Sequence, residues 1–475
     1  MNLQEWCAKV EDLVVPLRIQ YWNMQVGLPY DEKKIGELEQ QNAKYAEEFL
    51  KTWNEPEDLV DDCIGSVASA KTYKLSLEFN DLHSKAVVSK KHSFKDKPVT
   101  WQTWRQFAAT ASDKARKDVF DEFVTLTKPL AENAQKRFDV IVKLAREHDT
   151  DPLDSYCRGH RMPFAKLREV IEELRDGVKK EFGKQFAHYA QELFGRSPTY
   201  FDDFYVVRNK LYDKVSMPKL DPIASVQATL KGMGFNPAGV HVDAEDRPGK
   251  YASPFMMGIH VPKDIRLSYK PENPFNDLNS VYHEYGHCIH HRVIDPKLPY
   301  WTRNIMSSGL AETFSIFFDK MLVNPIFLQD LGFTDEQIDD LVQRTRFQEL
   351  YGAAFYCANS LFKFDFWEKN VAVADAAPLY AKRVKQCMGV DIPGEYWLLH
   401  HILPESLVTV PSYMLAEMQV ANLHAQYAQK HGERWWTSKE CGQELHALMR
   451  PGSDSPAANF SKISAKQLVK NLTHA

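Results

Sequence analysis

His283-Glu284-Tyr285-Gly286-His287 is an H-E-x-x-H pentad set inside a run that reads as a helix. Two histidines four apart lie one turn apart on one helical face, so both imidazoles can reach a single metal ion. Zinc suits such a pair, because it takes neutral imidazole and carboxylate ligands and keeps one position open for water. A glutamate beside the first histidine can take a proton from that water. Around the pentad, Leu278, Val281, Tyr282, Tyr285 and Ile289 recur at helical spacing and define an apolar face. Asn276 or Asp277, just after Pro274, is the expected cap. Gly286 costs a helix about 1 kcal/mol relative to alanine. That cost implies that another backbone or a substrate passes close to it.

The next motif outward is Ser307-Ser308-Gly309-Leu310-Ala311-Glu312-Thr313-Phe314-Ser315. Its serines and glycine read as a turn and cap, and Leu310, Phe314, Phe317, Phe318 and Met321 as a helix. Glu312 in the first turn of that second helix is the candidate third ligand beside His283 and His287. Its competing role is to complement the helix dipole. Asp319, two turns further on, is a weaker ligand candidate. His290 lies on the ligand face and is expected to hydrogen-bond near the site rather than ligate.

Pentad plus a glutamate on a separate helix resembles the gluzincin arrangement, and two helical families in it are similar to this chain. One is the carboxypeptidase Taq family. Ser253-Pro254-Phe255 stands where that family has His-Pro-Phe, and Asp264-Ile265-Arg266-Leu267-Ser268 resembles its Asp-x-Arg-x-Thr motif. Ala311-Glu312-Thr313 is similar to its His-Glu-Ser segment, and Leu361 to Asp365 to its Arg-containing segment, with Lys363 in place of the arginine. His401, followed by Ile402 rather than tryptophan, and Tyr413 in Val410-Pro411-Ser412-Tyr413 resemble its closing His-Trp and Pro-Ser/Thr-Tyr run. The other is the thimet oligopeptidase and oligoendopeptidase F family, which resembles this chain in Cys288-Ile289-His290, in the interval from His287 to Glu312, and in His401 and Tyr413.

The resemblance implies a mainly α fold: a large helical body divided by a deep substrate groove, with a small β-sheet next to the zinc-binding helix. It implies one zinc ion, or another divalent metal in its place, on His283, His287 and Glu312, with Glu284 as general base. Tyr413 or His401 then donates to the oxyanion. His400 competes with His401 for the place facing the groove, and otherwise serves in substrate binding. Arg266 and Lys363 are the cations offered for a substrate carboxylate; the alternative is that each pairs with Asp264 or Asp365. The expected activity is metallocarboxypeptidase cleavage of small peptides, with endo-oligopeptidase action or an inactive zinc-binding scaffold as alternatives.

Composition narrows the rest. The chain has 475 residues, 44% of them hydrophobic, a net charge of -5 and seven scattered cysteines. No basic surplus argues for nucleic acid, no apolar run is long enough for a membrane helix, and the start lacks the pattern of a signal peptide. Reduced thiols in the cytoplasm are expected. Peptides are the expected partners, and a second copy of the chain, as a homodimer, is the one further candidate. Residues 1–215 read as helix after helix, forming one wall of the groove, and 216–475 as the catalytic half. Helical spacing covers Lys33 to Trp53, Trp101 to Glu147 and Pro163 to Leu193. Strands are expected at Val240-His241-Val242, Phe255-Met256-Met257 and Ile265-Arg266-Leu267. Aromatic residues from Tyr200 to Tyr212 suggest a packed junction.

Overall fold

The computed structural model of the protein describes residues 2–84, 87–100, 103–148, 150–212, 215–251, 253–271, 273–398 and 409–473. It is mainly α-helical with two small sheets, as the sequence suggested. Helix α1 (Leu3–Gln25) opens on a capping box in which Asn2 and Glu5 satisfy each other's backbone N–H groups. Helix α2 (Glu32–Thr52) and helix α3 (Glu57–Ser84) follow, broken where Trp53-Asn54-Glu55-Pro56 interrupts the helical pattern. Together with Leu144 and Tyr300 from later helices they bury a small second core, with Trp6, Phe49, Leu59, Cys63 and Val67 at its centre.

The helical reading of the first 215 residues needs two corrections. Val87–Phe94 (β1) and Lys97–Thr100 (β2) form an antiparallel hairpin. Lys95 and Asp96 turn it with φ of 52° and 61°, the left-handed pair that two-residue hairpins require. The stretch expected to be helical from Trp101 to Glu147 is also broken. Ser112 caps a new helix, and α4 (Thr127–Glu147) forms its last part.

Helix α5 (Phe164–Phe194) ends on Gly195 in the left-handed region. The aromatic residues after it are a packed junction: Phe201 and Tyr212 are buried, and Tyr212 lies 4.6 Å from Phe275. The second sheet has strand order β3-β5-β4, with β3 (Val240–Asp243) parallel and β4 (Phe255–His260) antiparallel to the central β5 (Asp264–Ser268). All three strands fall where the sequence placed them. Arg18 of α1 donates to the Gly258 carbonyl of β4 (3.0 Å), so the first helix is tied to this sheet.

Helix α6 (Pro274–Val293) carries the pentad. Its cap is Asn273, whose side chain accepts from the N–H groups of Phe275 and Asn276, and not Asn276 or Asp277. Pro274 takes the first helical position, where a missing N–H costs nothing, so the cap moves to the residue before it. The apolar face is buried as expected, and the Tyr282 and Tyr285 hydroxyls meet Thr229 and Gln227. Helix α7 (Ser308–Asp319), capped by Ser307, packs directly against α6. Gly286 is the contact point: a Cβ there would stand 2.5 Å from the Phe314 carbonyl oxygen and 2.6 Å from the Ser315 Cα.

Helix α8 (Asp335–Glu368) runs 34 residues, about 50 Å, and opens on a capping box of Thr334 and Gln337. It packs on α5 through an aromatic seam, with Tyr189 stacked 4.4 Å from Phe347 and Phe186 edge-on to Tyr351 at 5.2 Å. Helix α9 (Pro411–His431) lies against α7, and α10 (Lys466–Thr473) closes against α5 and α9. The seven cysteines are free and buried. Among the described residues, no helix is long and apolar enough to cross a membrane.

Candidate metal centre

The i, i+4 spacing sets the His283 and His287 rings 5.0 Å apart and nearly perpendicular. The close contact at Gly286 brings α7 within reach, and Glu312 projects from it toward both rings. Glu312 Oε2 lies 3.4 Å from His283 Nε2 and 3.8 Å from His287 Nε2. One donor atom from each of the three falls within 4.8 Å of the others. Two ligand atoms in a tetrahedral zinc site, each about 2.0–2.1 Å from the ion, stand roughly 3.4 Å apart. The donor types and the spacing therefore fit a single ion.

The surrounding groups orient these donors. Asp319, weighed above as a ligand, instead accepts a hydrogen bond from His283 Nδ1 at 2.7 Å. That bond fixes a proton on Nδ1, so Nε2, which faces Glu312, is the atom left to ligate once it gives up its own proton. Ser315 Oγ donates to Glu312 Oε2 at 3.1 Å, and His291 Nδ1 meets the His287 carbonyl at 2.9 Å. Burial lowers the His287 pKa to about 3, so the ring is neutral, as ligation requires. Burial acts on His283 in the same direction, but Asp319 and Glu312 outweigh it and hold its pKa well above the ordinary range. Glu312 is itself pushed up by burial, yet the two histidines bring it down to about 2.

Glu284 is buried beside the ligands, and burial raises its pKa to about 7. The Met256 N–H of β4 faces its carboxylate and acts to lower that pKa, so the sheet meets the pentad helix here. A carboxyl poised near neutral pH, next to a metal ligand set, is suited to moving a proton. His290 does not make the expected hydrogen bond. Its ring is fully buried, packed 4.4 Å from Phe314, and neither nitrogen has a partner among the described residues.

Arg266 is held by Asp264 through two bonds of 2.9 and 2.7 Å and lies over the Trp22 ring. Lys363 is only 1% exposed, and burial pushes its pKa well down. Asp365 is engaged by Arg383 and, at 3.4 Å, by Arg168. Tyr413 is half-buried in the first turn of α9 and stacks 5.1 Å from Tyr356. The preceding Ser412 bonds the Tyr156 hydroxyl (2.9 Å) and Ser308 Oγ (2.5 Å), which fixes the start of α9 to the start of α7. His400 and His401 lie outside the described residues.

Sequence reasoning missed the orienting role of Asp319 and the Met256 contact to Glu284. The first had a signal, since Asp319 follows Glu312 by seven residues and so shares its helical face. The second had none, because a backbone N–H is the same at every residue.

No protein-family model and no curated protein matches the chain by sequence. Solved structures do match over its full length. One is that of BsuCP, with a TM-score of 0.58 and 16% identity, covering 98% of this chain and 97% of that one. Another is an M32 carboxypeptidase from Deinococcus radiodurans R1, with a TM-score of 0.58 and 14% identity, covering 99% and 97%. The chain shares its fold with an M32 carboxypeptidase. That likeness extends from the N-terminal helices through α10.

Proposed function

We propose that the protein is a zinc-dependent metallocarboxypeptidase that releases C-terminal residues from small peptides. The observation that carries this reading is Glu284, a buried carboxyl poised at about 7, placed beside an assembled His283, His287 and Glu312 set. Zinc held by these three residues would supply Lewis acidity and make water more acidic there. Glu284 would take a proton from the attacking water and pass it to the leaving amine. The Met256 N–H keeps the carboxylate aimed through both transfers. Tyr413 or His401 donates to the oxygen that becomes negative. Arg266, through the donors that Asp264 leaves free, receives the substrate carboxylate together with His400, whereas Lys363, buried and with its charged form disfavoured, is held back from that role. The full-length likeness to an M32 carboxypeptidase supports the exopeptidase choice.

Endo-oligopeptidase action is the second reading. It is favoured by the engagement of Arg266 with Asp264 and by the burial of Lys363. Elemental analysis and mass spectrometry of cleaved peptides distinguish the two. Wild type is expected to hold one zinc and to trim a free C-terminus one residue at a time, with the C-terminally amidated twin nearly inert. Glu284→Gln is expected to keep the zinc and lose about 10²–10⁴-fold in kcat. Internal cuts at equal rates in the free and amidated peptides would overturn the exopeptidase reading.

A further inference from the structure

Lys320 follows Asp319 at the end of α7 and reaches away from the metal centre. Its ammonium bonds Glu349 of α8 at 2.8 Å and Glu417 of α9 at 3.0 Å. Two carboxylates therefore share one cation, and burial raises the Glu417 pKa to about 7. All three groups line a cavity of about 380 Å³ where α8, α9 and α10 meet the end of α7. That volume lies in the range of small-molecule sites, roughly 300–1,000 Å³. Arg346 also lines it, one turn before Glu349 on α8. Opposite charges three apart on a helix normally close on each other. Here Lys320 holds Glu349, and Arg346 makes no ion pair or hydrogen bond to any described residue. The remaining wall is aliphatic, with Val323, Pro325, Val342, Val420 and Leu468.

We propose that this cavity binds a free α-amino acid with an aliphatic side chain, its carboxylate on Arg346 and its ammonium on the Glu349–Glu417 pair. An α-amino acid carries both charges on one carbon, so it spans a guanidinium and a carboxylate one helical turn apart. The guanidinium fork matches a carboxylate with two parallel bonds. The ammonium gives the two glutamates the second cation they lack. The side chain covers Val420 and Leu468. The site is separate from the metal ligands and does not depend on the peptidase reading.

Calorimetric titration of the zinc-loaded protein with L-leucine, L-leucinamide and 4-methylpentanoate tests it. Leucine is expected to bind saturably, one molecule per chain. The amide, which lacks the carboxylate, and the acid, which lacks the ammonium, are expected to bind at least tenfold more weakly. Arg346→Met breaks no ion pair or hydrogen bond to a described residue, and is expected to weaken leucine at least tenfold while zinc content and peptide turnover stay at the wild-type level. Absence of saturable leucine binding would overturn the proposal. So would equal affinity for the three probes, or wild-type affinity in Arg346→Met, which would place leucine in the catalytic groove instead.

Discussion

Replacing Gly286 by alanine puts a methyl group where the two ligand-bearing helices touch. The added Cβ would sit 2.5 Å from the Phe314 carbonyl oxygen and 2.6 Å from the Ser315 Cα, and ordinary contact begins at 3.4 Å. Both neighbours are backbone, so no side-chain rotation relieves the clash, and α6 and α7 must separate by about 0.9 Å at this level. Overpacking of this kind costs about 1–3 kcal/mol, and the better helix propensity of alanine offsets about 1 kcal/mol of it. Folding is therefore expected to survive with a modest loss. The metal site is less tolerant, because ligand distances in such sites hold to about ±0.2 Å. His287 is adjacent to Gly286 and Glu312 lies two residues before Phe314, so the separation falls between ligands. Zinc affinity is expected to drop about tenfold to a hundredfold, the scale of a disturbed ligand support. Competition with a chromophoric chelator measures the affinity, and thermal melts of the metal-free proteins measure the packing cost. Zinc affinity within twofold of wild type, with an unchanged melt, would refute the argument that this glycine sets the ligand triangle.

Three further outcomes are expected. Asp319→Asn keeps an acceptor for His283 Nδ1 but removes its charge, so zinc affinity falls about tenfold to a hundredfold in the same competition assay; unchanged affinity would reduce Asp319 to packing. In the metal-free protein the Glu284 carboxyl has its pKa raised from 4.5 to about 7, so its stabilisation is complete below 4.5 and is lost as pH rises through 7. Denaturant melts across that window should show wild type losing up to about 3 kcal/mol relative to Glu284→Gln, and parallel curves would contradict it. Tyr413→Phe should lower kcat about 10²-fold with KM nearly constant, the mark of a lost oxyanion donor, whereas steady-state kinetics with only KM altered would move the hydroxyl to substrate binding.

Much of the architecture was legible in the residues because it rests on local pattern. The helical spacing of Leu278 to Ile289 and the short apolar runs at Val240, Phe255 and Ile265 named α6 and the second sheet directly. The hairpin at Lys95-Asp96 was not legible, since lysine is an unusual choice for a left-handed turn, no glycine stands beside the aspartate, and the flanking lysines read as solvated charge. At the metal centre, spacing joined His283, His287 and Glu312, because a helix repeat fixes two of them and a motif the third. The partners that decide charge were beyond it. Asp365 with Arg383, and Lys320 with Glu349 and Glu417, meet across long sequence separations that no periodicity encodes.

The separate core of α1, α2 and α3 has a consequence for how the molecule opens. The ties of α1 to the second sheet and to the short helix Tyr300–Asn304 are largely polar, with Arg303 forked on Glu11 and Arg18 on Gly258 and Asn304, plus Tyr300 and a small patch of Trp22, Val26 and Ile259. Water can replace polar ties far more readily than it can enter the large apolar core that holds α6, α7 and α9. Local opening follows the weakest cooperative boundary. Helix α3 is anchored in the large core through Phe79, so α1 and α2 are the block whose amides exchange together and early, while the amides around the pentad exchange only on global unfolding. Strand β4, held by Arg18 on one side and by Glu284 on the other, is the seam between a breathing segment and a shut one.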